Sequence, residues 1–420
     1  MLIGAIWSGG LLIAWLLLPR WRPARVLTNV QAALLIAGVA LAARLVPALI
    51  LGQGTGYDLD SFRVVADLVR RGQDVYLAPE ALQRYPYLPL QMYWMAAAAW
   101  LAEAARLPFG FVVKLAPIGA DVGIALIIYV LLRARPAEAA RALLAGLSYA
   151  LHPVAVFVSA YHGQFDALPL LFSLLAAQAA FSSPDLAGGW LGLAILDKSW
   201  PVLFVPGLLN ALHGARRRWP FLLGLALVPA AGVAAYLLLH GTPLLTLVGR
   251  AISYNHGVGA WGYAFFPRML WQVAPSRAAP YFWLIANGRY LTLAALAAVW
   301  LGWARRQSLL AGMLTIMVAF LALTHAFSIQ YLVWVVPFAV YDDPRGRWLR
   351  RFTLAAYAYM LLSYSTLILD LRITQMFPAL VAEWVIIWAG LPAWLVSLGW
   401  LVSRLRGPNS PEAPARENTR

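Results

Sequence analysis

Asp58 and Asp60 flank one leucine in GYDLDSF, residues 56–62, directly after the apolar run 27–51. A carboxylate half shielded by lipid has a raised pKa and accepts a proton from a sugar hydroxyl, so this pair can supply a general base at a water–lipid boundary. The plainer role is local: Asp58 caps a helix and Asp60 favours its dipole. Divalent-metal ligation by the pair is a third reading, weakened by the lack of an obvious third ligand.

HGQFD, residues 162–166, places His162, Gln164 and Asp166 around one glycine at the end of an apolar segment, a pattern suited to ligand binding. Lys198 lies in the break Asp197-Lys198-Ser199-Trp200-Pro201. A cation there meets half-helix ends and little water, so it suits a phosphate; a pair with Asp197 is the alternative. Lys114 and Asp121 stand two helical turns apart on one face, which reads as a structural ion pair within an apolar span, with substrate contact as the alternative. Tyr85 and Tyr87 in YPYLP are interfacial anchors or the wall of a sugar cavity. Arg250, His256 and Arg268, in the aromatic-rich segment 241–280, are further candidate substrate contacts. Gln330, Tyr331 and Trp334 in SIQYLVWVVP complete the set.

The elements that must position these residues are membrane helices. The chain has 420 residues, of which 62% are hydrophobic and 12% charged, with mean hydropathy +0.72. No soluble core hides that much apolar surface, and a β-barrel needs short alternating strands instead. There is no cysteine, hence no disulfide or thiolate metal site. Net charge is +15, yet among 32 basic residues only Lys114 and Lys198 are lysine. Nucleic-acid binding is excluded by the hydrophobicity; the arginines read as loop charges.

Apolar spans are expected near 1–18, 27–51, 110–132, 138–160, 166–182, 220–240, 281–304, 307–325, 328–341, 349–370 and 380–404. The first reads as a membrane helix rather than a cleaved signal. Segment 186–213 reads as two short helices meeting at a polar point. Clusters at Arg20/Arg22/Arg25, Arg133/Arg135/Arg141, Arg216/Arg217/Arg218, Arg305/Arg306 and Arg345/Arg347/Arg350/Arg351 face the cytoplasm by the positive-inside rule. GYDLDSF, HGQFD, 241–280 and HAFSIQY then face outward. That holds if 87–106 is re-entrant; otherwise HGQFD lies inside and 186–213 is a single span. Residues 59–71 form an amphipathic surface helix stopped by Gly72. The chain is one membrane domain, 1–406, with a first outer loop at 52–89, a second at 241–280 and a disordered cytoplasmic tail at 407–420.

GYDLDSFRVVADLVRRGQDVY followed by YPYLPL resembles the first loop of the GT-C glycosyltransferases. VVKLAPIGAD, HGQFDALPLLFSLLA, LDKSWPVLFVP and SIQYLVWVVPF continue the likeness in order over about residues 50–340. The nearest types are the PIG-M-type mannosyltransferases of GPI-anchor synthesis and the bacterial polyprenyl-phosphate-mannose-dependent enzymes. The resemblance implies an all-α GT-C bundle of about 11–13 transmembrane helices. It implies inverting transfer of a hexose from a polyprenyl-phosphate donor to a glycolipid, glycan or protein on the extracytoplasmic side. The lack of cysteine and the arginine bias point to a prokaryote and so to the plasma membrane. The resemblance also implies that one acid of Asp58-Leu59-Asp60 is the base, Asp58 foremost, with Asp60 supporting it or binding the acceptor. Lys198, with His162 or an arginine of 241–280, would clamp the leaving phosphate. No cofactor is assigned; relatives differ in their use of a divalent metal. The main rival class is a transporter, for which charged intramembrane residues and a broken helix also suit. No inverted repeat is evident, however. A polymer ligase or an idle scaffold would need no acid pair in the first loop.

Overall fold

The computed structural model describes residues 2–21, 27–50, 56–134, 139–252, 257–364 and 377–407. Among them the single extended pairing is an isolated bridge between Val258 and Ala326. The helices are α1 Leu2–Leu17, α2 Asn29–Ile50, α3 Gly56–Arg70, α4 Gln91–Ala105, α5 Phe109–Val113, α6 Leu115–Arg133, α7 Ala139–Ala150, α8 Pro153–Val156, α9 Ala167–Ala179 and α10 Pro184–Asp197. They continue as α11 Val205–Ala211, α12 Ala215–His240, α13 Leu244–Ile252, α14 Phe265–Val273, α15 Ala279–Gly302, α16 Leu309–Leu323, α17 Val336–Asp342, α18 Arg347–Ser363 and α19 Ala379–Arg406. The tail beyond Gly407, read as disordered, lies outside the described residues.

Six helical stretches are long and apolar enough to cross a bilayer: Asn29–Ile50, Phe109–Arg133, Ala139–His162, Ala215–His240, Pro275–Arg306 and Ala379–Arg406. The chain is therefore an all-α, multi-pass membrane protein. The other apolar helices, such as Ala167–Ala179 and Leu309–Leu323, are shorter. Burial separates two roles. Ala139–His162 is enclosed by its neighbours almost throughout, whereas Ala215–His240 has few fully buried residues. Away from α10 its length presents open apolar side chains, among them Leu223, Leu227, Leu238 and Leu239, a surface suited to lipid.

The arginine clusters expected to face the cytoplasm collect at one end of the bundle, while Arg63, Arg70, Arg71, Arg84, Arg106 and Arg250 lie in the cap at the other. Arg133 Nε donates to Asn29 at 3.1 Å, joining the end of α6 to the start of α2. Arg217, at the start of α12, caps the carbonyls of Ala180 and Phe181 after α9. Arg141 donates to the Asp342 carbonyl at 2.7 Å, and the Arg305 carbonyl accepts from Asn210 at 2.8 Å. GYDLDSF and HGQFD lie at the opposite end, where Asp58 meets His162.

Between α2 and α6 the chain builds a cap at that opposite end. The surface helix expected at 59–71 is α3, three residues longer at its start, and Gly72 beyond it takes φ +67°. Helix α4 begins beside Asp197, through Gln91, and ends beside Arg70, which grips Glu103 with both guanidinium nitrogens at 2.6 Å. At fifteen residues it is about 22 Å long, short of the ~30 Å hydrocarbon core. Its packing on α3 therefore agrees with a segment 87–106 that does not cross.

Segment 186–213 is broken as expected. α10 ends at Asp197, Lys198 is extended, and a tight turn over Trp200–Phe204 leads into α11. The position of α10 is set by small residues. A Cβ on Gly188 would fall 2.0 Å from the Phe221 carbonyl oxygen, and one on Gly224 2.4 Å from that of Asp185. The backbones of α10 and α12 thus touch, the close packing that drives helix association in lipid.

The Lys114–Asp121 pair is not formed. Asp121 binds Arg44 Nε at 2.7 Å and the Tyr149 hydroxyl at 2.7 Å. Seven residues put Lys114 about 10 Å along the helix from Asp121, while Arg44 on α2 faces it directly. Arg44 is fully buried and also donates to the carbonyls of Ala40 and Ala150. Removing one partner strands a charge in the core. Asp121→Asn or Arg44→Met should each cost about 3–5 kcal/mol, and the double variant Arg44→Met/Asp121→Leu should recover most of it. Denaturant unfolding in detergent micelles measures this; additive losses would show that the two side chains do not act as a pair.

Candidate functional site

The site grows from a local irregularity. After α8 the chain widens into a π-turn, Phe157–His162, and both Gly163 N and Gln164 N bond to the Val158 carbonyl, at 3.1 and 3.0 Å. Such turns concentrate at functional sites because they re-aim side chains. Gly163 then takes φ +91°, and a Cβ there would sit 3.1 Å from Lys114 Cε and 3.2 Å from Leu59. The backbone angle favours glycine, and any side chain would also press on Lys114 and Leu59. The turn splays His162, Gln164 and Asp166 in different directions, all three buried.

These side chains form one continuous polar chain with residues from four other segments. Asp58 accepts a short hydrogen bond from His162 Nε2, and His162 Nδ1 is bonded to the Tyr364 hydroxyl at the end of α18. A neutral imidazole accepts from Tyr364 at Nδ1 and donates from Nε2 to Asp58, whereas a protonated ring donates to both and adds its charge beside Asp58. Gln164 also bonds Asp58 and turns its carbonyl oxygen to Lys198 Nζ at 3.3 Å. Lys198 Nζ binds Asp166 at 2.7 Å, and the second Asp166 oxygen accepts from Trp334 Nε1 at 2.7 Å. Trp334 stacks on Trp200, ring centres 4.3 Å apart. Only Asp58 in this chain opens outward: its side chain is 28% exposed against 5% for His162.

Lys198 pairs with Asp166, then, and not with its neighbour Asp197. Its ammonium also lies over the rings of Phe165 and Tyr87, 4.2 and 5.1 Å from their centres, where cation–π attraction adds to the pairing. Asp197 instead accepts from Gln91, and its other oxygen is buried without a hydrogen-bond partner among the described residues.

The other candidates are distributed unevenly around this chain. Tyr87 belongs to its wall, while Tyr85 is buried scaffold, with its hydroxyl between the Leu88 carbonyl and Met92 N. Lys114 touches the HGQFD loop through its stem. Asp60 is exposed, two residues from Asp58 and so on a different face of α3. Arg250 donates to the Tyr76 carbonyl at 3.1 Å, tying the second outer loop to the first. Arg268 is committed to an ion pair with Glu383 on α19. Gln330 accepts from Ser328, and Tyr331 packs on Trp334, ring centres 4.2 Å apart. His256 lies outside the described residues. Asp121 belongs to the Arg44 pair. Four partners were not anticipated: Tyr364, Gln91, Arg44 and Arg84. Arg84 sits over the first turns of α3, donating to Ser61 Oγ at 3.0 Å with its guanidinium 5.3 Å from the Tyr57 ring centre. A lone arginine within the apolar stretch 27–51 was a readable signal for Arg44; nothing local marks the other three.

Asp58 departs from the expectation of a raised pKa. Burial pushes it up, but the hydrogen bond and charge of His162, the Gln164 amide and the Lys198 charge together hold it below the usual carboxylate value. A depressed folded pKa means that this network stabilises the fold above the unfolded value of about 3.9 and loses that contribution as pH falls through the folded one. His162→Ala should raise the Asp58 pKa. Infrared titration, with Asp58→Asn assigning the band, reads this directly; an unmoved band would break the proposed pairing. No protein-family model, curated protein or solved structure matches the chain.

Proposed function

We propose that this protein is a GT-C-type membrane hexosyltransferase, by analogy a mannosyltransferase. In this reading it transfers a sugar from a polyprenyl phosphate to a hydroxyl of a glycolipid or glycan, with inversion. The observation that carries the reading is Asp58: a carboxylate open to the outside at the start of an amphipathic helix, braced from behind by His162 and Gln164. The order of motifs along the chain supports the same reading. So does the larger share of arginines at the far end, which by the positive-inside rule turns Asp58 away from the cytoplasm.

In the reaction, Asp58 accepts the acceptor's hydroxyl proton as that oxygen bonds to the anomeric carbon, and the carbon–oxygen bond to the phosphate breaks on the opposite face. The polyprenyl phosphate leaves as an anion and needs no acid. A depressed pKa keeps Asp58 ionised at neutral pH, so the base is ready in every molecule; its weakness as a base is offset by fixed orientation. Lys198 is already neutralised by Asp166 and serves chiefly to aim Gln164. Arg84, half-buried over the first turns of α3, is the better-placed cation for the leaving phosphate.

The test is transfer by the purified, reconstituted protein, supplied with polyprenyl-phosphate mannose and its host's lipid extract and read by mass spectrometry. A glycolipid one hexose heavier should form. Asp58→Asn should lower its rate by about 10²–10⁴-fold, and Asp60→Asn should leave it near wild type. Undiminished transfer by Asp58→Asn removes the centre of the mechanism; absence of any product with a panel of lipid-linked sugars would favour a transporter.

A further inference from the structure

At the basic end the helices leave a cavity of about 960 Å³, bounded by the ends of α6, α9, α17 and α19 and the starts of α16 and α18. Arg141, Arg306, Arg347 and Arg404 line it, against two acids, Asp342 and Asp343. The arginines divide by role. Arg404 binds Asp342 at 2.9 Å, Thr315 at 2.8 Å and the Ala311 carbonyl at 3.0 Å. Arg141 holds the carbonyls of Tyr341 and Asp342. These two fasten α17 in place. The Arg306 guanidinium makes no hydrogen bond or ion pair within the described residues, and that of Arg347 rests on the Trp348 ring, 5.8 Å from its centre. Both are exposed. With Asp342 taken by Arg404, Asp343 faces Arg141, Arg306 and Arg347, and the net charge on the cavity wall is positive.

Backbone groups add to this charge. Ser308 and Gly346 begin α16 and α18 without side-chain caps, so the first amides of both helices are free to donate toward the cavity that their first turns line. The rest of the wall is mixed: Leu131, Leu310 and Trp400 give it an apolar part beside the polar Gln178, Gln307 and Ser403. A soluble anion gains nothing from the apolar part, whereas an amphiphile uses both.

We propose that this cavity binds the phosphate headgroup of an anionic membrane lipid from the leaflet that the basic end faces, with Arg306 and Arg347 as the headgroup contacts. Basic pockets between membrane helices commonly take such headgroups. The site is separate from Asp58 and does not depend on the transfer reaction.

The experiment is native mass spectrometry and thermal unfolding of the full chain in detergent, titrated with phosphatidylglycerol, phosphatidylcholine or inorganic phosphate. Phosphatidylglycerol should bind the wild type and raise its unfolding temperature; the other two should do neither. Arg306→Gln/Arg347→Gln should weaken phosphatidylglycerol binding roughly thirtyfold. Its unfolding temperature without lipid should stay near that of wild type, since Arg141 and Arg404 still hold α17. Asp58→Asn should bind the lipid as wild type does. Equal binding of phosphatidylcholine, equal protection by inorganic phosphate, or undiminished binding by the double variant would each overturn the proposal.

Discussion

The ion pair between Lys198 and Asp166 joins two places where the chain stops being regular helix. One is the break between α10 and α11, the other the loop that follows the π-turn. A buried ammonium and a buried carboxylate are each costly away from water, and neither loop is compact without the other's charge. Once they meet, the remaining geometry is constrained. Gln164 is held with its oxygen on Lys198 and its amide toward Asp58; Trp334 is fixed by the second Asp166 oxygen. The ring faces of Tyr87 and Phe165 close over the ammonium. An exposed carboxylate at the start of α3 is thus held through buried groups from several distant segments.

Local signals and long-range pairing were not equally legible in the sequence. Apolar runs marked the membrane helices because lipid demands continuous apolarity. The amphipathic spacing from Leu59 onward marked α3, and Pro201 with Asp197 and Lys198 marked the break. HGQFD was legible as a cluster because its polar residues surround a glycine. Partner choice was not. Lys114 and Asp121 share a helix face, yet Asp121 turns to Arg44, since the distance along α6 is too great and α2 brings an arginine alongside. Lys198 rejects the adjacent Asp197 for Asp166, thirty-two residues earlier. Neighbouring residues at a helix end point apart, and only the packed bundle decides which carboxylate faces the ammonium. The sign of the Asp58 shift was missed for the same reason: burial was foreseeable, but the three groups that outweigh it were not.

The two ends of the bundle solve different electrostatic problems. At one, acids and bases are paired into a closed chain with a single outward carboxylate. At the other, arginines bind carbonyls at helix ends, as Arg217 does after α9 and Arg141 after α17. Those carbonyls carry the negative end of the helix dipole. Positive charge there orients the protein and also completes the hydrogen bonding of helix ends close to the hydrocarbon, where water is scarce.

Helix α12 presents a long open apolar face and is seated against α10 backbone to backbone. A helix so exposed responds to its solvent: a thicker or thinner bilayer changes its preferred tilt, at a cost of fractions of a kcal/mol per ångström. At Gly188 and Gly224 the two backbones meet directly, and Leu196 at the end of α10 lies against Gly232 of α12. A tilt of α12 would therefore bear on α10, whose last residue precedes Lys198. Membrane thickness would then be felt at the polar chain through packing alone, without any ligand at all.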